Sequence, residues 1–337
     1  MKELRWGVIG FGAFADIAMG PAITSTPGHR LVAISGRDRK RVDGFAKKYG
    51  VARSCLSASE LVSMTDIDAV YVATPNSQHC EHTCMAAERG FHVLCEKPMA
   101  VNVKQANSMI EVCSKHNVKL MIGNMMRFNP CHAWMKHSIT EGVLGGITEA
   151  KATFEYHLTD AYPIWRLDPK VGGGAVMDVG VHCIDLLRYI LGSEVTSVGA
   201  FMDTGKHPFP VDISATAILS FGTGAVGTVS VSFINKQPLN RIEIRGTEGS
   251  MVAEGTLWRE STGRVSVETK YCTQTYNSST AVPNPYILQI EHFSGCIKNN
   301  TNPLISGEEG LKDLTVCLAA YKSHKTRTIV DIDQSSC

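Results

Sequence analysis

The apolar run LRWGVIG (4–10) passes directly into Gly10-Phe11-Gly12-Ala13-Phe14-Ala15, and a helical pattern follows to about Ser25. No other stretch restricts the fold as tightly, because strand, glycine turn and helix follow without a spare residue. The spacing fits G-x-G-x-x-G/A. Gly10 permits a tight turn, Gly12 lets a backbone approach a pyrophosphate, and Ala15 lets the helix pack near the strand. The helix start offers unpaired N–H groups to an anion. Gly10, Phe11, Gly12, Ala13 and Phe14 are therefore candidate cofactor contacts. The alternative is a glycine turn that merely packs.

The rest of the first third repeats that alternation. HRLVAIS (29–35), AVYVAT (69–74), HVLCE (92–96) and KLMIGN (119–124) are strand-like, with helical patterns between them at about 78–89 and 102–116. Short continuous apolar runs suit strands buried on both faces, and strand–helix alternation implies a parallel sheet with right-handed crossovers. After about residue 147 the texture changes. ITEAKATFEYHL, VTSVGAFM, DISATAILSF, AVGTVSVSF and NRIEIRGTEGSMVAE alternate with period two between Gly, Asn and Asp, as in an antiparallel sheet with one covered face. Helical runs are expected at about 175–191, 286–298 and 308–323. The fold class is α/β: an N-terminal Rossmann doubly wound parallel sheet, then a C-terminal α+β domain with an open, mostly antiparallel sheet. Residues 1–124 are assigned to dinucleotide binding and 125–337 to substrate binding and oligomerisation, with the join near 125–150.

At 337 residues two domains are expected. The net charge of +1 provides no field to recruit nucleic acid or an anionic membrane. The 11 cysteines are scattered, odd in number and without a repeated CxxC, which suits free thiols in a reducing cytoplasm. The N-terminus enters a strand without a signal-peptide core, and no apolar stretch approaches the ~20 residues of a membrane span. A soluble cytoplasmic protein is expected.

The residues after the second strand bear on which dinucleotide binds. An NAD-selective site places Asp or Glu at the end of that strand; here it ends Ser35-Gly36-Arg37, followed by Asp38-Arg39-Lys40-Arg41. A hydroxyl and a guanidinium suit a 2′-phosphate, so NADP is favoured over NAD. A solvated basic helix start capped by Asp38 is the bland alternative.

Glu96-Lys97-Pro98 ends the strand-like 92–96, and ligands of open α/β sheets sit outside the carboxyl ends of strands. Lys97 is a functional lysine on that ground, or half of a structural Glu–Lys pair. In the second half, Gly172-Gly173-Gly174 leads on flexible glycines into a helix on which Asp178 and His182, four apart, share a face, with Asp185 three further on. The plain alternative is an acid favoured by the helix dipole and an incidental histidine.

GFGAFA, AVYVATPNSQH, CEKPM and GGGAVMDVGVHCIDLLRY together closely resemble the glucose–fructose oxidoreductase / inositol dehydrogenase / rhizopine-catabolism (Gfo/Idh/MocA) family over the whole length. That resemblance implies NAD(P)-dependent hydride transfer at a carbon of a sugar, polyol or ketosugar, with Lys97, Asp178 and His182 carrying the polar chemistry. It also places Arg127, in NMMRFNP, near the substrate, and Thr74, Pro75, Asn76 and His79, in TPNSQH, near the cofactor. IWRLD (164–168) before the triple glycine is similar to 1,5-anhydrofructose reductase-like members.

His182, with an ordinary pKa near neutrality, is the best-matched base, Lys97 the stabiliser of developing negative charge, and Asp178 the partner of His182 or of a sugar hydroxyl. Lys97 as the acid/base stays open, and Glu96 is expected to position it. Tyr156, His157, Trp165, Arg166 and Asp168 offer an aromatic face and polar groups to a sugar, or else sheet packing with an Arg–Asp surface pair. His79, Cys80, His82 and Cys84 crowd together but lack a second ligand cluster, so no metal is expected. Two other functions share the scaffold: a glycosidase that retains its nucleotide, and a non-catalytic nucleotide-binding regulator. TAILSF, VGTVSVSF and RIEIRG carry enough apolar residues for an open sheet face to bury against a second subunit, as a homodimer or homotetramer.

Overall fold

A computed structural model describes residues 3–158, 164–203, 210–278 and 282–333. The chain forms two compact units, Met1–Asn124 with Tyr286–Leu311, and Met125–Pro285 with Lys312–Cys337.

The first unit holds six parallel strands: β1 (Leu4–Ile9), β2 (His29–Ser35), β3 (Arg53–Cys55), β4 (Ala69–Val72), β5 (His92–Cys95) and β6 (Leu120–Ile122). Their order is β3-β2-β1-β4-β5-β6, so the winding reverses between β1 and β4. Every residue of β4 and β6 is buried, which accounts for their continuous apolar sequences. β3, at the sheet edge, is only three residues, Arg53-Ser54-Cys55, too short and polar to declare itself. Residues 286–311 return to this unit, whereas a single cut at 124/125 assigns them to the second. Their attachment is specific: Phe293 packs 5.9 Å from Trp6 of β1, Tyr286 lies edge-on 6.1 Å from Phe14, and Ile122 of β6 donates to the Ile305 carbonyl.

Among the described residues the second unit is built on nine strands: β7 (Ile147–Glu155), β8 (Val195–Asp203), β9 (Ser214–Phe221), β10 (Val226–Ser232), β11 (Asn240–Gly246), β12 (Gly249–Glu254), β13 (Arg264–Thr269), β14 (Thr273–Asn277) and β15 (Val330–Asp331). The order is β14-β13-β12-β11-β7-β10-β9-β8-β15. β7 and β10 run parallel, and every other neighbouring pair is antiparallel. β9 shows the expected alternation, with Ala215, Ala217, Leu219 and Phe221 buried and Thr216, Ile218 and Ser220 exposed. The helix Val181–Leu191 packs on the covered face against β7 and β10. It is buried almost all round, as expected of a helix with apolar residues on every side. The opposite face keeps Phe201 69% and Ile218 58% exposed. β13 to β15 are edge strands or lie next to an edge, and β13 alternates with Val265 and Val267 buried. Among the described residues no helix is long and apolar enough to cross a membrane.

Candidate active site

In the first unit the glycine loop lies where the winding reverses. Gly10 has φ +85°, and a β-carbon there would come within 2.7 Å of Thr74 Cγ2 and 2.9 Å of the Ala73 backbone. Both its conformation and the end of β4 therefore require glycine. The amides of Gly10 and Phe11 donate to the Ser35 carbonyl, and the Phe11 ring is buried against Phe45 and Tyr49. Gly12 differs. A β-carbon there would meet nothing nearer than 3.8 Å, which leaves the open approach that a pyrophosphate needs. Gly12 precedes the helical turn Ala13–Ile17, and no side chain caps that turn. These residues fit a dinucleotide.

Ser35 is 2% exposed, so its assured role is its carbonyl's grip on the loop. Gly36 follows, packed on Val42, and Arg37 is exposed. Asp38 caps the helix Arg39–Tyr49 by accepting from the Arg41 amide.

At the end of β5, the Glu96 carboxylate is buried and accepts from the Tyr71 hydroxyl at 2.5 Å and from the Lys97 amide at 3.3 Å. A β-carbon at Gly123 would sit 2.9 Å from Glu96 Oε1. Glu96 is thus wedged between the ends of β4 and β6, and Lys97, half-buried, follows it with a cis bond to Pro98. Sequence reasoning missed Tyr71 and Gly123. A tyrosine inside an aliphatic strand was the available signal for the first.

Pro75 precedes the short turn Asn76–Gln78, where Asn76 is buried. His79 has no exposed surface, and its ring nitrogens face the Pro98 carbonyl at 2.9 Å and the Thr74 carbonyl at 2.8 Å. Burial lowers its pKa to about 4. The expectation that His79 contacts the cofactor gives way to a staple joining the Thr74 and Pro98 loops. Among the described residues no group of three or more His, Cys, Asp or Glu side chains could hold a metal ion.

In the second unit, Asp178 lies in one wide π turn, Val176–Gly180, from which the helix Val181–Leu191 continues with His182. Such turns occur mostly as single insertions in helices, frequently at functional sites. Asp178 and His182 are each 5% exposed. Asp178 Oδ2 accepts from the Tyr156 hydroxyl and from Arg166 Nε, both at 2.8 Å. Tyr156 follows β7 and packs on Phe233 at 4.9 Å, and the His182 ring lies 6.3 Å from Phe154. Arg166 also lies 4.5 Å over the Trp165 ring.

The Arg–Asp surface pair does not form in the way the sequence suggested. Asp168 caps the Lys170 amide, and Arg166 reaches Asp178 instead. His157 is exposed beside this cluster.

Arg127, expected near the substrate, is paired inside the second unit. It is 5% exposed, its Nε donates to Asp185 Oδ1 at 2.8 Å, and its guanidinium lies 5.1 Å over the Tyr189 ring. Asp185 is therefore the partner of Arg127. Asp313, beside Asp185 and Arg188, is pushed well above the ordinary carboxyl range by burial and by Asp185.

The triple glycine is a packed turn. A β-carbon on Gly173 would lie 2.5 Å from the Arg166 carbonyl oxygen, and Gly174 has φ +125° with Asp212 and Tyr321 against it. Asp212 is 2% exposed, and burial raises its pKa to about 6.

A doubly wound parallel sheet with a glycine loop at its switch point, joined in one chain to an open sheet bearing a buried Asp–His pair, defines a two-unit dinucleotide-dependent oxidoreductase. Family descriptions match both parts: "Oxidoreductase family, NAD-binding Rossmann fold" over residues 4–124 and "GFO/IDH/MocA C-terminal domain" over residues 132–252. The chain belongs to the Gfo/Idh/MocA oxidoreductase family.

It is 29% identical over 331 residues to 1,5-anhydro-D-fructose reductase of Ensifer adhaerens, covering 98% of each chain. It is also 29% identical over 338 residues to scyllo-inositol 2-dehydrogenase (NAD(+)) of Bacillus subtilis, covering 98% of this chain and 97% of that one. Aldose-aldose oxidoreductase from Caulobacter crescentus, solved with glycerol, superposes with a TM-score of 0.91 at 27% identity, over 98% of this chain and 100% of that one.

Proposed function

We propose that this chain is an NADP-preferring oxidoreductase acting on a sugar, polyol or ketosugar, with Lys97, Asp178 and His182 as its working polar groups. The observation that carries the reading is Asp178: a buried carboxylate in a π turn, held by Tyr156 and Arg166, with His182 following in the next turn. A bound nicotinamide dinucleotide supplies the redox chemistry, and the protein supplies orientation and proton handling. His182 gives a proton to a carbonyl oxygen in reduction and takes it from a hydroxyl in oxidation. Lys97 donates to the reacting oxygen and stabilises its developing negative charge. Asp178, fixed from two sides, binds a neighbouring hydroxyl or orients His182. Trp165 and Arg166 present a ring face and a guanidinium to the sugar.

Gly10, Gly12 and the loop at Thr74 to Asn76 would hold the dinucleotide, with Arg37 on a 2′-phosphate. Asp38, the first acid after β2, is already engaged as a helix cap, which supports NADP over NAD. The exposed face carrying Phe201 and Ile218 is proposed to bury in a homodimer or homotetramer. A monomer in sedimentation at micromolar concentration would contradict that.

The reaction is tested with a panel of aldoses, polyols and ketosugars, including 1,5-anhydro-D-fructose, D-xylose and scyllo-inositol, with NAD(H) and NADP(H) in both directions. Turnover that oxidises or reduces free NADP(H) is expected, and Arg37→Ala should erode the preference for NADPH by about tenfold. Product formation with no net change in nicotinamide absorbance would overturn the reading in favour of a nucleotide-retaining glycosidase.

A further inference from the structure

We propose that Asp212, braced by Tyr321, is a positioning residue for this reaction, fixing the glycine turn from which the segment bearing Asp178 and His182 starts. The inference rests on the reading of Asp178 and His182 as working groups.

Asp212 lies just ahead of β9, 36 residues beyond the amide it holds. Its Oδ2 accepts from the Val176 amide at 2.7 Å, its backbone carbonyl from the Ala175 amide at 2.9 Å, and its Oδ1 from the Tyr321 hydroxyl at 2.6 Å. Two successive amides at the start of the turn therefore end on one residue. The turn itself is shaped for that contact. A β-carbon on Gly174 would overlap Asp212 Oδ1 and come within 2.7 Å of the Tyr321 oxygen. Gly173 is pressed in the same way on the Arg166 carbonyl, and the Gly174 amide donates to that carbonyl at 2.9 Å.

The turn then sets the register of the helical segment after it, because the Asp178 amide donates to the Gly174 carbonyl at 3.0 Å. Arg166 grips the Asp178 side chain, and the Arg166 backbone holds the turn. Displacing Gly174 thus disturbs Asp178 through both its backbone and its carboxylate, and His182 one turn later. Misplacement of reacting groups by about 1 Å can cost ~100-fold in rate, so an error transmitted here would register in turnover.

The test compares Asp212→Ala, Asp212→Asn, Tyr321→Phe and His182→Ala in the full chain. Turnover is measured on the fastest of 1,5-anhydro-D-fructose, D-xylose and scyllo-inositol, with rates expressed per folded molecule and NADPH affinity measured separately. Asn keeps an acceptor for the Val176 amide and can donate to the Tyr321 oxygen. We expect kcat to fall ~10–100-fold in Asp212→Ala with NADPH affinity unchanged, and to recover to within ~3-fold of wild type in Asp212→Asn. Tyr321→Phe should lose ~3–10-fold, and it carries the test if Asp212→Ala does not fold.

A second readout needs no substrate. The imidazole NMR signal that disappears in His182→Ala should shift in Asp212→Ala and return in Asp212→Asn. Full kcat per folded molecule and an unmoved His182 signal in Asp212→Ala and Tyr321→Phe, with His182→Ala inactive, would overturn the positioning role alone. Full turnover in His182→Ala would defeat the reading of the site, and the positioning role with it.

Discussion

The two units hold their candidate residues in different ways. In the first, the amides of Gly10 and Phe11 meet the Ser35 carbonyl and Gly10 lies against the Ala73 backbone and the Thr74 side chain at the ends of adjacent strands, while Glu96 accepts from the Tyr71 hydroxyl of the next strand. In the second, Asp178, Arg127 and Asp212 are each fixed by side chains from elsewhere in the chain: Tyr156 and Arg166, Asp185, and Tyr321. A site made of backbone at strand ends repeats wherever the sheet repeats, so a short motif announces it. A site made of paired side chains depends on partners tens of residues apart. Arg127 is the clearest instance, since the family resemblance put it near the substrate while the carboxylate that pairs with it stands 58 residues further on.

The largest expected effect falls on that pair. Arg127→Ala strands Asp185, which has no exposed surface, and should cost ~3–5 kcal/mol in chemical denaturation. Replacing both partners, as Arg127→Met with Asp185→Leu, should recover most of that loss, because the desolvation cost leaves with the charges. A loss confined to substrate KM, with stability intact, would return Arg127 to the substrate.

The corresponding break in the first unit is a backbone one. Gly10→Ala places a side chain at φ +85° against Thr74 and Ala73 and should destabilise by about 3 kcal/mol. Gly12→Ala, with open space around it, should leave stability within ~0.5 kcal/mol while weakening dinucleotide binding by ~10-fold or more. Equal effects of the two substitutions on stability would refute the distinction.

Acid titration sharpens the comparison, because each unit holds a histidine with no exposed surface. His79 and His132 are both lowered from 6.5 to about 4 by burial, and each faces backbone carbonyl oxygen. The unfolded chain takes up these protons near pH 6.5 and the folded chain only near 4, so the stability is complete above 6.5 and is lost as pH falls through that window. Each histidine should contribute up to about 3 kcal/mol to that acid sensitivity. His79→Gln and His132→Gln should each flatten the dependence, and an unchanged slope in either would contradict its neutral burial.

The smallest effect is Asp38→Ala, which removes a helix cap and should cost ~1 kcal/mol without altering cofactor preference. A switch in preference would make Asp38 a selectivity residue instead.

These contrasts also explain what could be read in advance. The parallel sheet, the glycine loop and the two-part organisation follow from period and spacing, which are local. Lys97 stands out because it interrupts the end of a strand pattern, and Asp178 through its four-residue spacing to His182 together with the family resemblance. The return of residues 286–311 to the first unit was not legible, since it depends on Trp6 meeting Phe293. The triple glycine suggested flexibility because the carboxylate packed against it lies at position 212. His79 stood in a motif beside the expected cofactor loop, yet two carbonyls claimed its ring.

The most direct test of the central claim, that Lys97 and His182 carry the polar chemistry of a sugar oxidoreductase, is the initial rate of NADPH-linked turnover in Lys97→Ala and His182→Ala beside wild type. Each variant should lose ~10²–10⁴-fold in kcat while remaining folded. Unchanged turnover in both would contradict the claim.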